Sequence, residues 1–249
     1  MGILRTTPGF AARQATGLVD SGSASSGLPH FTRGKPNTSR APDAGPPCWP
    51  PACRPTPSLK ASWYGAHLGA TLLADKEAQA LALAGTRSLV DMYTPRARLI
   101  PLGLEAEEAS SVGTHEANID ALAGTAALLL SHEPTLNSAE IGRQHLRQHI
   151  ALCVRDDGSV CQSATFHPEN GSLIKRYTHK GIHDSSTWGR AQAWAMLGLA
   201  QALSLGEKTF ETDAIRVADW WLAHAPADGV AFWDFDDPSI PNTNRDTSA

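Results

Sequence analysis

The chain has 249 residues, 41% hydrophobic and 18% charged, with a net charge of −4, which suits a globular protein of one large domain or two small ones. The acidic balance gives no support for nucleic-acid binding, which calls for a basic face, and no apolar run reaches the ~20 residues that span a bilayer, so neither nucleic acid nor membrane is expected as a partner. Cys48, Cys53, Cys153 and Cys161 follow no metal-ligand spacing and are too few for a disulfide framework, so free thiols in a reducing compartment are expected; with no apolar signal core at the start of the chain, the expected location is cytoplasmic.

Residues 1–57 hold ten of the seventeen prolines and six Lys/Arg against two Asp/Glu. Proline denies hydrogen-bond donors to helix and sheet, and the low apolar density does not offset the entropy of ordering, so this segment is expected to be disordered. From Ser58 the pattern becomes helical. Trp63, Leu68, Leu72, Leu73, Leu81, Leu83, Leu89 and Val90, interrupted near Asp75, predict helices over 62–74 and 76–93, closed by Thr94-Pro95. HEANIDALAGTAALLLSH, with Ile119, Leu122, Ala126, Leu129 and Leu130 on one face, predicts another helix stopped by Pro134. Asn137-Ser138 with Glu140 close behind reads as a capping signal for a helix running to about Cys153.

Two β-leaning segments in 159–178 flank Asn170-Gly171, a hairpin signal. Helices resume over about 187–204 and 210–225, and a loop rich in Asp, Pro and Asn follows. Paired helices with long connections favour an all-α architecture of the α/α-toroid or solenoid kind over a four-helix bundle, whose loops are short, and no tandem-repeat signature is visible.

The strongest chemical signal is 178–198, THKGIHDSSTWGRAQAWAMLG, where Trp188 and Trp194 flank Arg190 near a helix start. Sugars stack their apolar faces on aromatic rings, and a guanidinium meets a carboxylate with two parallel bonds, so the pattern fits a carboxylated sugar; core packing of the tryptophans is the competing reading. His145 and His149, four apart on a predicted helix, could chelate a metal but have no third ligand placed, so a solvent-facing pair is expected. His183-Asp184 could orient the site or cap the next helix. No cofactor is expected.

Three stretches carry a resemblance: THKGIHDSSTWGRAQAWAMLGLA, then DGVAFWDFDDPSIPNTNRDTSA at 228–249, and NIDALAG at 118–124. Together they resemble the unsaturated glucuronyl hydrolase family of glycoside hydrolases, over about 190 residues from Ser58 onward. The resemblance implies a six-hairpin α/α toroid that removes a 4,5-unsaturated uronic acid from the non-reducing end of a lyase-generated oligosaccharide by hydrating its double bond. Asp120 matches the family's proton-transfer aspartate; the competing reading is an acidic residue favoured by the helix macrodipole. Arg190 and Trp194 match residues that hold the uronate and stack on the sugar.

Lys180 stands where many members have Gln, and Gln162, after the Asp157-Gly158-Ser159 turn, stands where a His often lies; both positions line the sugar site in the family. The family's His-Asp-x-Gly-Phe segment should fall near residues 50–56, where this chain has PPACRPT. The expectation is therefore a partial toroid domain over 58–249 with a proline-rich segment in place of its first helices, from a shifted frame or truncated gene. Further helices would be missing beyond Ala249, and catalysis would be impaired because uncovered apolar faces cost stability. Two alternatives stand beside it: an unsaturated rhamnogalacturonyl hydrolase, and an inactive remnant or carbohydrate-binding helical module.

Overall fold

The structure is a computed structural model that describes residues 62–102, 115–131 and 133–249, with backbone only at 62–64 and 134. All of these residues fall in the compact unit Pro50–Ala249. The expected disorder of 1–57 and the boundary at residue 58 lie outside the described residues.

A π-helical turn, Ser62–His67, runs into α1 (Leu68–Leu73), which ends where Ala74 turns left-handed at φ 51°. Asp75 then caps α2 (Lys76–Asp91) by accepting the N–H groups of Glu77 and Ala78 at 2.8 and 2.9 Å, which explains the interruption expected there. The buried stripe of α2 is Ala82, Gly85, Thr86 and Leu89. Leu72, Leu73 and Leu81 are 73%, 77% and 64% exposed, so the leucine-rich part of the pattern is not the packed face. Small residues face inward here because they let helices approach closely, and the leucines point the other way.

The segment read as one helix from His115 divides into three pieces. Glu116–Asn118 forms a strand, β1; Ile119–Gly124 is a 3₁₀ turn; Thr125–Leu130 is a short helix, α3. Asn118 is extended and its side chain accepts the Asp120 N–H at 3.0 Å, so the cap falls three residues later than a helix from His115 would need. Ile119, Leu122 and Ala126 are buried as expected, while Leu129 and Leu130 are only partly so.

Helix α4 spans Ser138–Cys153. Its cap differs from expectation: Asn137 is left-handed at φ 48° and makes no side-chain cap bond, while Glu140 bonds instead to Arg143 and Gln144. His145 and His149 on α4 are fully buried, which corrects the expected solvent-facing pair. Both imidazoles are accommodated because backbone groups supply hydrogen bonds, Ile100 and Ala121 to His145 and the His145 carbonyl to His149.

Strands β2 (Ser163–Phe166) and β3 (Leu173–Tyr177) form the expected hairpin around Asn170-Gly171, with Gly171 at φ 71°. The sheet has a third member, in the order β1-β2-β3, all antiparallel, with Asn118 opposite Ser163 and Ser163 opposite Tyr177. Helices α5 (Gly189–Ser204) and α6 (Glu211–His224) follow. The closing loop contains a two-stranded ribbon, β4 (Ala231–Phe232) with β5 (Arg245–Asp246).

The main core joins Ile119 and Leu122 of the 3₁₀ turn, Leu146 and Ile150 of α4, and Ala191, Ala195 and Leu199 of α5. The 3₁₀ turn and α5 meet at Gly198, where an added Cβ would stand 2.7 Å from the Leu122 Cβ. Gly198→Val is therefore expected to cost about 2 kcal/mol through overpacking, read as a lower urea midpoint with an unchanged m-value; an unchanged midpoint would show that the contact is slack. The described residues are thus helix-rich with a small sheet, and no helix among them is long and apolar enough to cross a membrane.

Candidate active site

Three backbone segments converge around the sequence-predicted residues. The first is the 3₁₀ turn bearing Asp120. Asp120 is partly buried and one of its carboxylate oxygens is shielded from solvent. The Ile119 N–H donates to the Gln162 carbonyl at 2.9 Å, which docks this turn on the second segment, the start of β2. Asn118 Nδ2 approaches Ser163 Oγ at 3.4 Å, and Ser163 Oγ lies 3.3 Å from His179 Nδ1.

The third segment is the loop from Thr178 into α5. Gln162 is fully buried and its Oε1 accepts the Lys180 N–H at 3.0 Å, while its own N–H donates to Thr178 Oγ1 at 3.3 Å. Its Nε2 is buried and has no hydrogen-bond partner among the described residues. The loop is pinned from the other side by Asp234, also fully buried. One Asp234 oxygen accepts the Ile182 N–H at 2.8 Å and the Ser186 hydroxyl at 2.6 Å, and the other accepts the Asp236 N–H at 2.9 Å. Gly181 is required by this packing, since a Cβ there would lie 2.3 Å from Ser186 Oγ and 2.6 Å from Asp234 Oδ2. Asp234→Ala is expected to cost about 2 kcal/mol, because it strands buried donors; equal thermal midpoints for variant and parent would contradict this.

Trp188 is buried just ahead of α5 and pairs with Asp234 in an isolated antiparallel bridge. Two cations sit over its ring: Arg190 with its guanidinium carbon 5.0 Å from the centroid, and Lys180 with Nζ at 5.8 Å. Arg190 Nη2 also donates to both carboxylate oxygens of Asp246, at 3.0 and 3.3 Å. Burial pushes the Asp246 carboxyl up, but the Ser248 hydrogen bonds and the Arg190 charge outweigh it and hold it below the usual carboxylate range. Trp194, one turn further along α5, is partly buried against the main core. It precedes Gly198 by four residues, on the face of α5 that meets the Asp120 turn.

Lys180 and Arg190 are thus brought together on the Trp188 ring and Gln162 is bonded to the Lys180 backbone, while the Asp120 turn is tied to this loop through the Ile119–Gln162 bond and the Asn118–Ser163–His179 chain. Sequence reasoning did not single out Asn118, Ser163, His179, Asp234 or Asp246. Asn118, His179, Asp234 and Asp246 were present only as letters of the quoted motifs and Ser163 only within a β-leaning segment, since their partners lie far along the chain. His183-Asp184 does not cap α5, whose first turn has no side-chain cap; Asp184 instead pairs with Lys175 at 2.7 Å. Cys153 and Cys161 are free, buried thiols, as expected, and Cys48 and Cys53 lie outside the described residues. Among the described residues no group of three His, Cys, Asp or Glu is gathered as for a metal.

No family model matches the chain. It is 38% identical over 134 residues to the unsaturated glucuronyl hydrolase of Bacillus sp. strain GL1, covering 53% of this chain and 36% of that protein. It is 27% identical over 197 residues to the unsaturated chondroitin disaccharide hydrolase of Streptococcus pyogenes serotype M1, covering 78% and 47%. The crystal structure of the Bacillus sp. GL1 unsaturated glucuronyl hydrolase superposes with a TM-score of 0.62 at 31% identity, over 76% of this chain and 48% of the solved one. The chain therefore spans less than half the length of these relatives. In sequence over 53% of its length and in fold over 76% of it, the chain is thus similar to unsaturated glucuronyl hydrolases.

Proposed function

We propose that this protein is a glycoside hydrolase that releases a 4,5-unsaturated glucuronic acid from the non-reducing end of lyase-generated oligosaccharides, and that residues 58–249 are part of a six-hairpin α/α toroid. The observation that carries the reading is the pair of cations, Lys180 and Arg190, on the ring of Trp188, in a loop bonded through Gln162 to the turn that bears Asp120. A cation pair on an aromatic wall suits an anionic sugar better than a neutral one. Relatives support the class: the solved structures include one whose name pairs an unsaturated glucuronyl hydrolase variant with dGlcA-Glc-Rha-Glc.

In this reading Arg190 and Lys180 hold the uronate carboxylate while Trp188 and Trp194 border the sugar face. Asp120 donates its proton to C4 of the enol ether, and water adds at C5 with its proton returning to the Asp120 carboxylate. The product is a hemiketal, which opens and breaks the glycosidic link. One carboxyl group serves as acid and then base, so no second carboxylate at the anomeric carbon is required. The Asp246 carboxylate on Arg190 keeps the guanidinium oriented and partly offsets its positive field.

The test follows the double bond itself. Its conjugated absorbance near the far-ultraviolet edge should fall when the chain is added to an unsaturated uronyl disaccharide. Persistent absorbance at protein concentrations equal to the substrate would refute the reading.

A further inference from the structure

Helix α4 turns His145, His149 and Cys153 toward the core at successive four-residue steps, all three fully buried. A core imidazole loses hydration that an aliphatic side chain would not have had to lose, so its hydrogen bonds show what it is there for. We propose that His145 is a positioning residue for Asp120, holding the backbone on the C-terminal side of that residue through the Ala121 carbonyl. This inference rests on the assignment of Asp120 as the proton-transfer residue.

The bonds specify one tautomer. The Ile100 N–H donates to His145 Nδ1 at 3.1 Å, so that nitrogen carries no proton. Nε2 then holds the hydrogen and donates to the Ala121 carbonyl at 3.3 Å. Burial keeps the ring neutral by pushing its pKa well down, and the neighbouring His149 acts the same way. His149 reinforces the arrangement, its ring tilted 57° to that of His145 at a centroid separation of 4.2 Å and its Nδ1 donating to the His145 carbonyl at 2.9 Å.

Asp120 is bracketed as a result. On its N-terminal side the Gln162 carbonyl takes the Ile119 N–H, and the Asn118 side chain takes the N–H of Asp120 itself. On its C-terminal side the bond is that from His145. Loss of the bond to the Ala121 carbonyl would let the turn that carries Asp120 shift, and a shift of about 1 Å at a reacting group costs on the order of 10²-fold in rate.

The experiment compares His145→Asn and His145→Gln in the 249-residue chain. The asparagine oxygen reaches the Nδ1 position and keeps the Ile100 bond but not the Ala121 bond. The glutamine amide reaches the Nε2 position and keeps the Ala121 bond. The expected result is a kcat about 10–100-fold lower for the asparagine variant with KM within about threefold, and a kcat restored to within about threefold by glutamine, although both variants melt at similar, lowered temperatures. His145→Phe, which keeps ring volume and drops both bonds, replaces the asparagine variant should that one fail to fold. Equal kcat for asparagine and glutamine variants, or kcat falling only in step with the folded fraction, would overturn the proposal. Asp120→Asn is run alongside: if it is inert while the asparagine variant at 145 is fully active, positioning fails and the function stands, and if it is active, both fall.

Discussion

Asp120→Asn is expected to lower kcat by about 10²–10⁴-fold, the range that positioned proton transfer contributes, while leaving KM for an unsaturated disaccharide within a few-fold. Asparagine matches the aspartate in shape and occupies the same space in the turn. The bond that caps this turn runs from the Asp120 backbone N–H to the Asn118 side chain, and the docking bond runs from the Ile119 N–H to the Gln162 carbonyl; neither uses the carboxyl group. Lys180 and Arg190 on the Trp188 ring are equally untouched, so the uronate keeps its cationic partners. What disappears is a proton for the alkene carbon and a base for the incoming water. Stopped assays of disaccharide loss, with circular dichroism to establish folding, decide the matter. An unchanged kcat in a folded variant would remove Asp120 from the chemistry and shift the role of the whole loop from catalysis to binding.

The parts of the molecule readable from sequence are those set by neighbours within a few residues. The two helices around Asp75 follow from an aspartate placed to accept two backbone N–H groups, and the hairpin follows from Asn170-Gly171 and its left-handed glycine. Strand β1 was missed because it is three residues long and exists through pairing with β2, some forty-five residues away; its local composition reads as the beginning of a helix. The burial of His145 was missed for the same reason, since its partners are Ile100 and Ala121, and four-residue spacing marks a helix face without saying which way it points. Leu72, Leu73 and Leu81 marked their helices by spacing, but spacing does not say which face packs, and all three are exposed. The site residues were legible as motif letters, but the reasons for them were not. Gly181 is there because Ser186 and Asp234 leave no room for a Cβ, and Gln162 is there because its amide oxygen takes the Lys180 N–H. Both reasons come from contacts between segments.

Acidification from pH 7 to pH 4.5 is expected to cost this protein about 2–3 kcal/mol of stability through His149 alone. His149 is fully buried, and loss of hydration lowers its pKa from 6.5 to about 4, with the bond to the His145 carbonyl opposing the shift. Between those two values the unfolded chain takes up a proton that the folded chain refuses. Stability is therefore complete above about pH 6.5 and is lost progressively as the pH falls toward 4. Its Nε2 lone pair is buried without a hydrogen-bond partner among the described residues, so protonation there would create a charge facing no acceptor. His145 shifts in the same direction, by burial first, and steepens the loss. The measurement is a set of urea unfolding curves at pH 7, 6, 5 and 4.5 for the parent and for His149→Leu. The leucine variant starts less stable because the bond to the His145 carbonyl is gone, but its stability should fall by about 2 kcal/mol less over the same interval. Parallel pH curves for the two proteins would mean that His149 takes up its proton at the same pH folded as unfolded, and that the pair on α4 is wetter than its burial implies.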